Sequence, residues 1–290
     1  MAFEDVMATV GRWMVAVEAF AATGADLALR QSGTAGPPEV AAALRAVSEA
    51  AGLGDLAELP SPQQALVLGF IRTYVHQALD LIEEPAREPG WRFTDPVILD
   101  GWGRGSSMVP GMIASGAPEI GDVGAFLDVG TGVGLLAVTA ASVWPDATIV
   151  GIDPWEPSLE RARANVAGAG LDDRITLRNQ DVVDLDDVEA YDCIWVPTFF
   201  LTEPVLDAAL ANVGRAARPS GWIVLGRLAP PPDPLADAVG RLRTVRGGGS
   251  TLETKRAVDL LERLGCIAVR ALAPTPGVPM EFIVGQMPAG

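Results

Sequence analysis

The chain has 290 residues, 49% hydrophobic and 20% charged, which fits one large or two smaller folded domains and excludes a disordered chain. Its 37 acidic and 21 basic residues leave a net charge of −16, a field that repels phosphate backbones and anionic lipid headgroups. The expected partner is therefore a small-molecule substrate, with no nucleic acid and no membrane surface. The start, MAFEDVMATV, has two acids and no basic segment ahead of its apolar residues, unlike a secretory signal. No uninterrupted run approaches the roughly 18 apolar residues that a bilayer span requires. Two cysteines, Cys193 and Cys266, are too few for a disulfide framework or a multi-cysteine metal site, so a reducing cytoplasm is the expected compartment.

Residues 1–90 read as a helical domain. Val10, Trp13, Met14 and Val17 recur at helical spacing, SGTAGPP (32–38) breaks the pattern, and Pro37–Pro38 can open a second helix over 39–51. A third helix carries Leu66, Leu68, Phe70, Ile71, Val75 and Leu79, and ends at EEPAREPG. GPPEVAAALR has the look of the start of a small helix-turn-helix, but the acidic balance argues against DNA reading. A cap or dimerisation role is expected instead, with a homodimer formed through these helices. Residues 91–120 form a bridge that holds Trp91, Phe93, Trp102, Met108 and Met112 among Arg92, Arg104, Ser106 and Ser107.

From residue 125 strands and helices alternate. The strands fall at 125–129, 147–153, 175–181, 191–197 and 222–228, with helices to about 143 and over 157–168 and 203–216, and ARPSG as a loop before the fifth strand. Helices near 234–246 and 251–264 follow. The last two strands, 266–273 and 281–287, are joined by a proline-rich turn. Such alternation predicts a parallel sheet with right-handed crossovers and helices on both faces.

The chemistry begins at FLDVGTGVGLLAV (126–138): an apolar strand, three glycines at alternate positions, then apolar residues at helical spacing. Glycine lets the backbone take angles barred to other residues and brings the main chain close to a ligand, and the following helix aims unpaired N–H groups at it. The loop is D-x-G-x-G-x-G and not the dinucleotide pattern G-x-G-x-x-G. It resembles motif I of the class I S-adenosylmethionine-dependent methyltransferases. That resemblance, over roughly 120–290, implies a Rossmann-like α/β fold with a seven-stranded sheet, here behind a mostly helical N-terminal domain. It implies S-adenosyl-L-methionine as cofactor and S-adenosyl-L-homocysteine as product, with no metal.

By the same resemblance, Asp128, Gly130, Thr131, Gly132 and Gly134 hold the amino acid part of the cofactor. Asp153, at the end of the second strand, takes the ribose hydroxyls, a role that suits NAD equally well. Pro154 and Trp155 offer an apolar face to adenine, and Asp181 with the backbone of Val182 takes its polar edge. Pro197 lies beside the sulfonium, with Thr198, Phe199 and Phe200 facing the acceptor, where aromatic faces can support a cation or stack a planar molecule. The segment ahead of motif I often lines the acceptor pocket in this family, which makes Trp102, Arg104, Ser106 and Met108 further candidates.

No catalytic residue is assigned. The strand-four sequence VPTFF is not the signature of amino-methylating DNA enzymes, no carboxylate cluster for a divalent cation is visible, and the single histidine, His76, lies in the N-terminal helices. Alignment of the acceptor with the methyl group supplies the rate in this reading. The expected acceptor is a small aromatic or apolar metabolite of secondary metabolism, methylated on oxygen. Two other readings stay open: a protein of this fold that uses the same cofactor for a pericyclic or decarboxylation reaction, and an NAD-dependent oxidoreductase.

Overall fold

At residue 125 the chain changes character, from helices with one apolar stripe to short strands that are apolar throughout. The computed structural model describes residues 2–275 and 278–290. Contacts divide it into two units, one of residues 1–87 with 95–101 and one of residues 88–94 with 102–290. The bridge read from the sequence is thus shared between the two.

The first unit is helical: α1 (Phe3–Ser32), α2 (Pro38–Ala50), α3 (Ser61–Glu83) and the first half of α4 (Pro96–Ser106). Pro38 opens α2 and Pro62 sits in the first turn of α3, where a missing N–H costs nothing. Leu27, Leu56, Leu68 and Ile71 form its core. Gly24 lets α1 close on α3, since a Cβ there would lie 2.7 Å from Ile71 Cγ2. Gly69 of α3 faces Gly101 of α4 with more room, since a Cβ on Gly69 would lie 3.7 Å from Gly101 Cα, an ordinary contact. Most of α1 is exposed, including Phe3, Met7, Trp13, Met14 and Val17. One expectation needs correction here. By length and composition, α1 and α3 each contain an 18-residue window of mean hydropathy 1.2, enough for a bilayer span, with 6% and 22% of that window buried. Counting uninterrupted apolar runs missed this because single glycines and scattered charges break a run without lowering the average much.

The second unit continues with the end of α4, then α5 (Val109–Gly116), β1 (Ala125–Val129), α6 (Leu135–Val143), β2 (Thr148–Asp153), α7 (Glu156–Ala169), β3 (Ile175–Asn179) and β4 (Tyr191–Pro197). After these come α8 (Glu203–Ala216), β5 (Ala217–Leu228), α9 (Pro234–Arg246), α10 (Thr254–Arg263), β6 (Ile267–Ala271) and β7 (Met280–Gln286). The sheet order is β3-β2-β1-β4-β5-β7-β6, with β1 to β5 parallel and β7 antiparallel to both of its neighbours. This is the seven-stranded arrangement expected from the sequence. The turn between the last two strands includes residues 276 and 277, outside the described residues.

Both faces of the central strands are covered, which is why β1 and β4 read as nearly continuous apolar runs. Leu127, Val129, Ile194, Val196, Ile223 and Leu225 pack with α8 and α10 through Leu206, Leu210, Val213, Leu260 and Leu261. On the opposite face Phe126, Cys193, Trp195 and Val224 pack with Ile113, Leu136 and Ala140. Cys193 is wholly buried, and burial pushes its thiol well above the usual range, so it is a packing residue. One local reading changes. ARPSG is drawn into β5, with Ser220 at φ +63 and a register shift between Tyr191 and Cys193 absorbing the irregularity. The bridge, for which no secondary structure was expected or excluded, forms α4 and α5.

Candidate active site

The carboxyl ends of β3, β2, β1 and β4 lie side by side, and the residues that follow each strand meet there. After β1 the chain turns through Gly130, Gly132 and Gly134, at φ +67, +56 and +75, values that a side chain would make costly. The loop is clamped from three sides. Thr131 N–H donates to Ile152 O at 3.0 Å, Asn165 Nδ2 donates to Val133 O at 2.8 Å, and Gly134 abuts Ala162 so closely that a Cβ would lie at 3.1 Å.

Three carboxylates line this edge. Asp128 is 1% exposed and accepts a hydrogen bond from Thr131 Oγ1 at 2.7 Å. Burial raises its pKa to about 7, against that hydrogen bond, and the charge of Asp153 adds to the rise. Asp153 ends β2 and accepts from Gly132 N at 2.9 Å and from Trp155 N at 2.8 Å, so one side chain holds both the glycine loop and the start of α7. Burial also raises its pKa, partly offset by those two bonds, and Asp181 adds repulsion. Asp181 caps the short turn after β3 by accepting from Val183 N at 3.1 Å, with Val182 buried beneath it. Carboxylates that repel one another in a buried setting favour a positively charged ligand, which lowers the cost of ionising them together.

At β4 the buried Pro197 lies 3.6 Å from where a Cβ of Gly130 would be. Thr198 is wholly buried and donates to Gly226 O at 2.7 Å, which makes it a tie to β5. Phe199 and Phe200 lie 4.8 Å apart, tilted by 58°, and begin an aromatic group. Trp102 lies 5.8 Å from Phe200, and Trp91 lies 5.6 Å from Phe200 and 5.8 Å from Trp102. Phe93 joins by its edge-on contact with Trp91 at 5.1 Å. The Trp155 indole donates to Phe93 O at 2.9 Å, which connects this group to the end of β2. Pro154 is exposed in the same turn.

The sequence-based candidates therefore separate. Asp128, Thr131, Gly132, Asp153 and Trp155 are linked by hydrogen bonds, Asp181 adjoins them, and Trp102, Phe199 and Phe200 share one aromatic group. Three acceptor candidates are not drawn in: Arg104 and Met108 are exposed, and Ser106 Oγ donates to Gly103 O of its own helix at 2.9 Å. Sequence reasoning left Trp91 and Phe93 out of the site. The signal available was Gly90 ahead of them, which packs against Gly248. His76 is exposed on α3. Among the described residues, no group of three or more His, Cys, Asp and Glu is placed to hold a metal ion. An open cleft of about 490 Å³ lies beyond the end of β5, but its lining includes nothing from the glycine loop. Two of its cations are also already paired, Arg227 with Glu281 and Arg241 with Asp237.

Comparison with known proteins agrees with this geometry. Residues 126–221, from β1 into β5, match the family model described as a methyltransferase domain. The nocamycin O-methyltransferase of Saccharothrix syringae is 35% identical over 119 residues, 40% of this chain and 42% of that protein. Shorter matches of 56 to 68 residues are to methyltransferases of a ribosomal protein and of tRNA. The curated relatives are matched over 18% to 51% of their own length. Among solved structures, an O-methyltransferase family protein from Burkholderia thailandensis superposes with a TM-score of 0.72 at 15% identity, covering 100% of this chain and 99% of that one. Human N-acetylserotonin methyltransferase in complex with SAM gives 0.68 at 13% identity, with 100% of both chains covered. At these identities the likeness is one of fold.

Proposed function

We propose that this chain, whose residues 126–221 match the model of a methyltransferase domain, is a class I enzyme that binds S-adenosylmethionine and methylates a small aromatic or apolar metabolite on oxygen. The observation that carries the reading is the row of acids Asp128, Asp153 and Asp181 around a glycine loop with three positive φ angles. Asp128 meets the ammonium end of such a ligand, Asp153 and Asp181 accept hydrogen bonds from its ribose and adenine, and the loop offers its main chain without side chains in the way. The bound cofactor supplies an electrophilic methyl group.

The chain's own contribution is placement. Asp153 holds the loop by Gly132 N–H and is itself oriented by Trp155 N–H, which leaves its carboxylate edge toward the ribose position. Asp181 is fixed by its cap at the adenine end. Past β4 the aromatic rings exclude water and present faces to a cation and to a flat acceptor. No side chain at this edge is assigned as a general base, so in-line alignment carries the rate, a contribution on the order of 7–11 kcal/mol. An acceptor already ionised at neutral pH suits such a site.

The test is thermal unfolding with S-adenosylhomocysteine and, separately, with NAD. At a hundred times its Kd a ligand stabilises the native state by about 2.7 kcal/mol, a shift of a few degrees. A shift with S-adenosylhomocysteine alone supports the reading, and a shift with NAD alone sinks it. Product masses raised by one methyl group then separate methyl transfer from other uses of the cofactor. The exposed apolar residues of α1 support a homodimer, for which light scattering is the measurement and a monomer at micromolar concentration the contrary result.

A further inference from the structure

The ring group at this edge is held from several directions. Gly90 N–H donates to Arg246 O at 3.0 Å, and Gly248 lies so close that a Cβ on it would be 3.0 Å from Gly90 Cα, which fixes the backbone before Trp91. Trp155 fixes Phe93 through its indole. Gly103 has no room for a side chain, since a Cβ would fall 2.2 Å from Val133 Cγ2, and this fixes the backbone just after Trp102. Gly249 packs on the Phe199 carbonyl, where a Cβ would lie 1.7 Å from the oxygen. Trp91, Trp102 and Phe200 consequently form a triangle of edge-on contacts with interplanar angles of 84°, 80° and 68°.

Within this apolar group one polar atom is left over. Trp102 Nε1 is buried and finds no hydrogen-bond acceptor among the described residues. The contrast is with Trp155, whose indole reaches a carbonyl at 2.9 Å. Native chains pair nearly all buried N–H groups, and a ring face is a poor substitute for an oxygen. A donor left unpaired between the rings of Trp91 and Phe200, in a place built by so many close backbone fits, points to an acceptor atom that arrives with the substrate.

We propose that Trp102 is a specificity-determining residue whose indole N–H donates to an oxygen on a planar aromatic acceptor, seated among Trp91, Trp102 and Phe200. This rests on the methyltransferase reading above. The flat ring replaces one of the edge-on contacts and the oxygen fills the empty bond. An apolar ring without that oxygen gains the stacking and leaves the N–H unpaired. Discrimination between them is strong because a buried donor is left without a partner in only one of the two complexes.

The test uses the full chain loaded with S-adenosylhomocysteine and two matched probes, 2-naphthol and 2-methylnaphthalene. Binding of S-adenosylhomocysteine is measured first, and its absence would end the methyltransferase reading before the proposal is reached. Ligand-observed NMR then gives both affinities. The expected result is a preference for 2-naphthol of about tenfold or more, reduced to about twofold or less in Trp102→Phe, whatever the variant does to the affinity that both probes share. In the unmutated protein, the assigned Trp102 indole resonance shifts downfield with 2-naphthol and not with 2-methylnaphthalene, a readout that stands even where the variant folds poorly. Equal affinities, no binding of either probe, a preference that persists in Trp102→Phe, or an indole resonance unmoved by 2-naphthol would each overturn the proposal.

Discussion

Two stretches of this chain carry glycine at three alternate positions just after an aspartate, and they behave in opposite ways. In the first, Gly130, Gly132 and Gly134 make a turn after β1 with positive φ throughout. In the second, Gly101, Gly103 and Gly105 lie inside α4 with helical backbone. The first uses glycine for its backbone angles and the second for its missing side chain, since Gly103 sits against Val133 of the other loop. What precedes each stretch decides the outcome. A buried apolar strand delivers the first to the sheet edge, whereas PVILD begins a helix that runs on through the second.

The largest expected effect is the pH dependence that Asp128 gives the first stretch. Asp128 is buried and its pKa is raised from 3.8 to about 7, so between those values the folded protein holds a proton that the unfolded chain has released. Stability therefore falls as pH rises from about 4 to about 7, by up to about 4 kcal/mol from this group. Urea unfolding across that range should show the slope, and Asp128→Asn should flatten it. Next in size, Gly103→Ala drives a methyl group into Val133 and should cost about 1–3 kcal/mol, with Val133→Ala in the same chain restoring most of the loss. Gly134→Ala should cost about 1–2 kcal/mol through its φ of +75, and Ala162→Gly should fail to rescue it because the backbone is at fault. Smallest is Gly105→Ala, which has open space and a helical backbone, and should stabilise by about 0.5–1 kcal/mol. If Gly103→Ala were harmless, or Gly134→Ala were cured by Ala162→Gly, the contrast between the two stretches would fail.

The same contrast explains what could be read from the residues alone. The glycine loop, Asp153 and Asp181 were legible because strand ends in a parallel sheet repeat at regular intervals and chemistry collects at that edge. Helix α4 was not, because local propensity charges each glycine about 1 kcal/mol and says nothing of the close fit to Val133 that makes glycine necessary. Thr198 was legible as a neighbour of the site but not as a hydrogen-bond donor to Gly226 O, a contact spanning 28 residues. Trp91 and Phe93 were visible as aromatic residues. Their place came from Gly90, Gly248 and the Trp155 indole, partners far away in sequence.

The strand order also bears on how the chain assembles during synthesis. β7 lies between β5 and β6, so the seventh strand in chain order is an inner one. Until residues 280–286 leave the ribosome, β5 has an open edge and β6 has nothing to pair with. A bare apolar edge such as Ile223–Leu225 is a template for pairing with another chain. A nascent chain stalled before Met280 therefore presents the cell with a nearly finished parallel half-sheet and an adhesive border, a state in which chaperone access matters more than it does for the completed sheet.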